Sequence, residues 1–108
     1  MITRIWHGEI RSSQADEYVE YIRETGASDL QATPGNLGVM VLRRAGAERA
    51  DVLVVSFWRE LSDIRAFAGD DVERARYYSK DRRYLLHLER KVRQYEVPIA
   101  HVPAIVIE

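Results

Sequence analysis

Apolar and polar positions alternate along this chain at two periods, and the changes of period divide it into elements. From Ile2 to Ile10 one alternate series holds Ile2, Trp6 and Ile10 and the other holds Ile5 and His7, the period of two expected of a strand. Ser13 with Asp16 three residues on reads as a capping box. Ala15, Tyr18, Val19 and Ile22 then follow the spacing of a helix stripe. Gly26 is placed to stop that helix, since glycine adopts the left-handed conformation readily, and Thr33-Pro34-Gly35-Asn36 marks a turn. Residues 37–43 and 51–58 are rich in Val, Leu and Phe around Ala45-Gly46-Ala47, which predicts a hairpin. A second helical region starts near Leu61, with Leu61, Ile64, Phe67 and Ala68 on one face. Gly69-Asp70-Asp71 interrupts it, and the two aspartates favour a new helix through Tyr77 or Tyr78. Ser79-Lys80-Asp81 restarts helix towards Leu86, residues 91–97 alternate as a strand, and the β-branched run 102–107 predicts one more.

The order strand, helix, strand, strand, helix, strand is that of an α+β, ferredoxin-like split βαβ domain, whose helices cover one face of an antiparallel sheet. Residues 1–97 form that domain and 98–108 a C-terminal extension. A sheet covered on one side should alternate apolar and polar, yet here Val52, Val54 and Trp58 alternate with Leu53, Val55 and Phe57. Both faces of the hairpin are apolar, while helices are available for only one. A homodimer packed sheet to sheet removes the exposed patch. The tail after Pro98 either extends across that interface as a strand or folds back on its own sheet edge.

Composition narrows the functions. The chain has 108 residues, with 16 Lys+Arg against 17 Asp+Glu, so it carries no electrostatic footprint for nucleic acid or an anionic membrane. It contains no cysteine, which excludes disulfides, thiolate metal sites and cysteine nucleophiles. No apolar run approaches the ~20 residues of a membrane span, and the strand pattern begins at once without a signal-like segment. A cytoplasmic protein is expected. His7, His87 and His101 have no local metal-ligand spacing, so no metal is expected. A Gly-rich phosphate loop and a nucleophile-elbow serine are also missing.

Arg4-Ile5-Trp6-His7-Gly8, the turn Thr33-Pro34-Gly35-Asn36, and Val55-Ser56-Phe57-Trp58 before a helix resemble the antibiotic biosynthesis monooxygenase superfamily. Phe67-Ala68-Gly69-Asp70-Asp71 through Tyr77-Tyr78, and Val92-Arg93-Gln94-Tyr95-Glu96-Val97 as closing strand, extend the resemblance over residues 1–97. It implies a dimeric α+β barrel with one pocket per subunit between helices and sheet. Members of the superfamily include cofactor-independent oxygenases acting on polycyclic phenols, heme-degrading enzymes, quinol oxygenases and proteins with no known reaction, and fold alone does not choose among them. The heme-degrading branch uses an Asn, a Trp and a His ligand at positions that match His7, Phe67 and Tyr77 here. All three differ, so the resemblance implies no cofactor, with heme as the weaker possibility.

Candidate chemistry starts with His7. It shares an alternate series with Thr3 and Ile5 and is expected to face the helices. With an unperturbed pKa near ~6.5 it could take a proton from a phenol; the alternative is a histidine bonded to backbone or to a tyrosine. Tyr77 and Tyr78 follow the interrupted helix and could donate to a substrate oxygen while stacking on an aromatic ligand, or simply cap the core. Ile5, Tyr18, Ile22 and Phe67 are candidate pocket walls as well as candidate core. Arg82, beside Arg83 and Tyr84, could meet an acidic substrate group, although a solvated helix face explains it too. Trp6 and Trp58 read as packing. The resulting expectation is a small monooxygenase-like enzyme acting on an aromatic or polyketide-type molecule, or running an isomerisation or cyclisation in the same pocket. The alternative is a non-catalytic or heme-binding accessory protein.

Overall fold

In a computed structural model describing residues 1–108, β1 (Ile2–Arg11) runs through the centre of the sheet and buries Arg4, Trp6, Gly8 and Ile10 on one face. A 3-10 turn at Ser12–Gln14 leads into α1 (Ala15–Glu24) and α2 (Gly26–Ala32). The hairpin follows as β2 (Asn36–Arg44) and β3 (Arg49–Trp58). A second 3-10 turn at Leu61–Ile64 precedes α3 (Arg65–Ala68), and α4 (Asp81–Tyr84) and β4 (Arg93–Glu96) complete the chain's regular structure. The sheet is antiparallel with order β2-β3-β1-β4, the split βαβ arrangement expected from the element order.

The core lies between the helices and one sheet face, where Ile10, Val52 and Trp58 meet Tyr18, Ile22, Leu30, Ile64 and Phe67. Gly8 is dictated by this packing. The Trp6 ring lies across it, and a Cβ there would stand 2.5 Å from that ring and 2.7 Å from Leu85.

The structure departs from the sequence reading in several places. The Ser13–Asp16 capping box does not form: residues 12–14 make a 3-10 turn and the start of α1 carries no side-chain cap. Gly26 opens α2 instead of ending α1, and the positive φ values belong to Gly35 and Gly69. Gly69, at φ 89°, ends α3. No helix follows through Tyr77, because the backbone pairs elsewhere: Ala75 N donates to Arg90 O at 2.9 Å and Val92 N to Glu73 O at 2.8 Å. Helix also stops short of Leu86, whose amide donates to Glu9 O while Leu85 bridges to Ile10. The chain thus returns along β1, bulges away, and rejoins it as β4 opposite Ile2–Ile5.

The other sheet face has no helix over it. Ile5, Leu53, Val55, Phe57, Met40 and Leu42 share it by register, and Met40 and Leu42 are 47% and 42% exposed. Residues 97–108 form no strand within the chain, and Ile99, Val102, Ile105, Val106 and Ile107 are exposed. No helix is long and apolar enough to cross a membrane.

Candidate functional site

Between the helices and the sheet lies a small cavity of about 40 Å³ that opens to solvent at its mouth. Arg4, Trp6 and Val54 rise from the sheet to form its floor. Tyr18 and Ile22 of α1 and Phe67 of α3 form walls, and Arg76, Tyr78 and Asp81 close it from the irregular segment and α4.

Its polar groups fall into two sets. In the first, Asp81 is 4% exposed and accepts from the Tyr18 hydroxyl at 2.9 Å and the Tyr78 amide at 2.6 Å. Burial raises the Asp81 carboxyl above its ordinary range, against the opposing pull of those two donors. Burial, reinforced by the neighbouring carboxylates Asp81 and Asp29 respectively, also raises the Tyr18 and Tyr78 phenols, so both stay neutral donors. Tyr78 donates its hydroxyl to Asp29 at 2.7 Å, and Arg76 Nη2 reaches the same carboxylate at 3.3 Å.

The second set is incompletely satisfied. Arg4 is 3% exposed, donates from Nη2 to Arg74 O at 2.8 Å, and makes no ion pair with a carboxylate. Its Nε–H and the Trp6 indole N–H are both buried without a hydrogen-bond partner. Burial lowers the guanidinium to about 10, so it remains charged at neutral pH. Arg4 stacks 5.3 Å from the Phe67 ring centroid, and Arg76 lies 4.8 Å from the same ring, contacts that stabilise cations away from water. A buried cation and two unused donors on a cavity wall suit a ligand bearing an acidic or carbonyl oxygen.

Of the residues singled out in the sequence, Tyr18, Ile22, Phe67 and Tyr78 come together here. Tyr77 does not line the cavity; it packs edge-on against Trp6 and donates its hydroxyl to Glu89 O. His7 and Ile5 are corrections. They belong to the opposite alternate series from Arg4 and Trp6 and project from the helix-free sheet face, so His7 does not face the helices. There it is held between Asp51 and Glu89. Arg82 is exposed on α4, away from the cavity. Sequence reasoning missed Arg4 and Asp81 and assigned Trp6 to packing. Arg4 had a readable signal, because it is the one charged residue in the series Ile2, Arg4, Trp6, Gly8, Ile10.

No protein-family model and no curated protein matches the chain. Among solved structures it is similar to a mutant of MhuD crystallised with two manganese protoporphyrin IX molecules per active site. The two are 20% identical with a TM-score of 0.59, over 95% of this chain and 100% of that one. This chain shares the fold of that structure.

A porphyrin bound by that fold raises the question of an axial ligand for its metal, which proteins supply from His, Cys, Met or Tyr. No His, Cys or Met lines the cavity. The Tyr18 and Tyr78 hydroxyls are already committed to Asp81 and Asp29, and both phenols resist ionisation. The residues of this cavity do not fit an axially ligated heme.

Proposed function

We propose that this chain is a small enzyme of the monooxygenase type, acting without metal or flavin on an electron-rich aromatic or polyketide-type molecule in the helix–sheet cavity. The observation that carries the reading is Arg4, a buried cation without a carboxylate partner, beside the unpartnered Trp6 N–H. Together they suit the oxygen of a phenol or enol as it becomes an oxyanion. Asp81, with its raised carboxyl, takes the proton in place of His7, and Tyr18 and Tyr78 orient that carboxylate.

Deprotonation makes the substrate a better electron donor, so it can reduce oxygen directly. In the balanced reaction a CH₂ beside the enol becomes C=O. One oxygen atom enters the substrate, the other leaves as water with the two hydrogens, and the four electrons come from the substrate carbon. The same base and oxyanion site would also serve an isomerisation or cyclisation, which consumes no oxygen. A cytoplasmic setting suits a cysteine-free chain. A homodimer through the helix-free sheet face would cover Met40 and Leu42.

The test is ligand binding by Arg4→Met, which keeps volume and removes the charge. A panel of hydroxylated anthrones and naphthols, titrated by fluorescence or calorimetry, should bind the wild type at least ~10-fold more tightly than the variant. Equal affinities would remove the Arg4 assignment. A second reading, a porphyrin-binding accessory protein, is favoured by the manganese protoporphyrin in the MhuD structure. A hemin titration giving a saturable Soret band at one porphyrin per chain would support it.

A further inference from the structure

The sheet face opposite the cavity carries a second cluster, assembled from distant parts of the chain. His7 projects from β1, Asp51 from β3, and His87 and Glu89 from the bulge between Leu86 and β4. His7 Nδ1 pairs with Glu89 Oε2, and His87 Nε2 lies 3.7 Å from that same oxygen. One ligand atom from each of His7, His87 and Glu89 lies within 4.8 Å of the other two. In a tetrahedral zinc site with bonds of about 2.0 Å, ligand atoms stand about 3.3 Å apart. Small side-chain rotations would therefore close the set around an ion. In the single chain these rotations are available, because His7, His87 and Glu89 are all partly exposed.

The other nitrogen of His7 gives the cluster its second feature. Nε2 lies 2.8 Å from Asp51 Oδ1, so a carboxylate holds the ring from behind while Nδ1 faces the other two ligands. A metal-bound histidine is ordinarily held in this way, which fixes its tautomer and raises its basicity. A chance surface ion pair has no need of two carboxylates on opposite nitrogens of one imidazole with a second imidazole alongside.

We propose that His7 Nδ1, His87 Nε2 and Glu89 Oε2 form a binding site for a divalent transition metal, with Zn²⁺ the best match, and that Asp51 positions His7 for it. Two imidazoles and one carboxylate are the donor set suited to zinc and its first-row neighbours rather than to calcium or magnesium. Three protein ligands leave a coordination position for water. The site is independent of the helix–sheet cavity, since its residues lie on the other face of the sheet. On binding, the ion takes the place of the Nδ1 proton, Glu89 exchanges a hydrogen bond for a metal bond, and one proton is released to solvent.

The experiment is a zinc titration of the full chain, free of any histidine tag, by calorimetry in two buffers of different ionisation enthalpy. The expected result is one Zn²⁺ per chain, with proton release visible as a buffer-dependent enthalpy. Affinity should fall by at least ~100-fold in His87→Ala and Glu89→Gln and by about 10–100-fold in Asp51→Asn, while His101→Ala leaves it unchanged. Co²⁺ should give the visible bands of a tetrahedral site, lost in His87→Ala. His87 and Glu89 lie on an exposed bulge, and circular dichroism of each variant verifies that the fold is retained. Absence of saturable binding, or binding that survives both His87→Ala and Glu89→Gln, overturns the proposal.

Discussion

The Tyr18 hydroxyl donates to Asp81 Oδ1 at 2.9 Å, joining α1 to α4 across the cavity through two side chains that are almost wholly buried. The Tyr78 amide occupies the other carboxylate oxygen, so the position of Asp81 is fixed from both sides.

Removing the Tyr18 hydroxyl leaves a buried carboxylate short of a donor. Tyr18→Phe should cost about 1–3 kcal/mol, read from urea unfolding. The effect has a definite pH dependence. Asp81 is raised in the folded state, so its contribution to stability is complete below the ordinary ~3.9 of an unfolded aspartate and is lost as pH rises through the folded value. Loss of the hydroxyl raises that value further. The deficit of Tyr18→Phe should therefore be larger at pH 7 than at pH 4, and an equal deficit at both would contradict the role given to this bond.

The same shift sets the pH profile of turnover. A base with a raised carboxyl is ionised only above the ordinary aspartate range, so the acid limb of kcat/KM should lie above pH ~3.9. Arg4, lowered only to about 10, stays charged across the neutral range and adds no limb there. Tyr18→Phe should move the acid limb upward.

Gly8→Ala tests the cavity floor. The added methyl would meet the Trp6 ring at 2.5 Å and Leu85 at 2.7 Å. Over-packing of this kind costs typically 1–3 kcal/mol, measurable as a fall in Tm, and it should also weaken ligand binding by displacing Trp6.

The helix-free face gives a prediction about assembly. Sedimentation at micromolar concentration should find the wild type as a dimer and Met40→Asp/Leu42→Asp as a folded monomer, since charges opposing Val55 and Leu53 would be buried in the interface. A monomeric wild type would contradict the proposed pairing.

The strands and the hairpin were legible because their alternation is long and uninterrupted, and the split βαβ order followed from them. Which face each strand residue takes was less legible. In β1 the two alternate series differ by one residue of parity, and with Arg4 in one and His7 in the other, polarity alone misplaced His7. The helices beyond Leu61 were over-read because local propensity does not register long-range pairing. Glu73 and Ala75 pair their backbone groups with Val92 and Arg90, and Leu86 donates its amide to Glu9 O of β1, with Leu85 bridged to Ile10. That detour also hid the metal-ligand cluster, whose histidines are far apart in sequence and meet only through the return of the chain along β1. In the cavity, Tyr18, Ile22, Phe67 and Tyr78 were readable from helix spacing and position. Asp81 was not, because an aspartate near a helix start is ordinarily exposed.

The decisive measurement is oxygen uptake with hydroxylated polycyclic substrates, in EDTA, for wild type and Asp81→Asn. Wild type should show saturable uptake, one O₂ per substrate molecule, and Asp81→Asn a loss of about 10²–10⁴-fold, with the variant still folded and still binding ligand through Arg4. No uptake by the wild type across the panel, or full activity in Asp81→Asn, would contradict the proposed reaction.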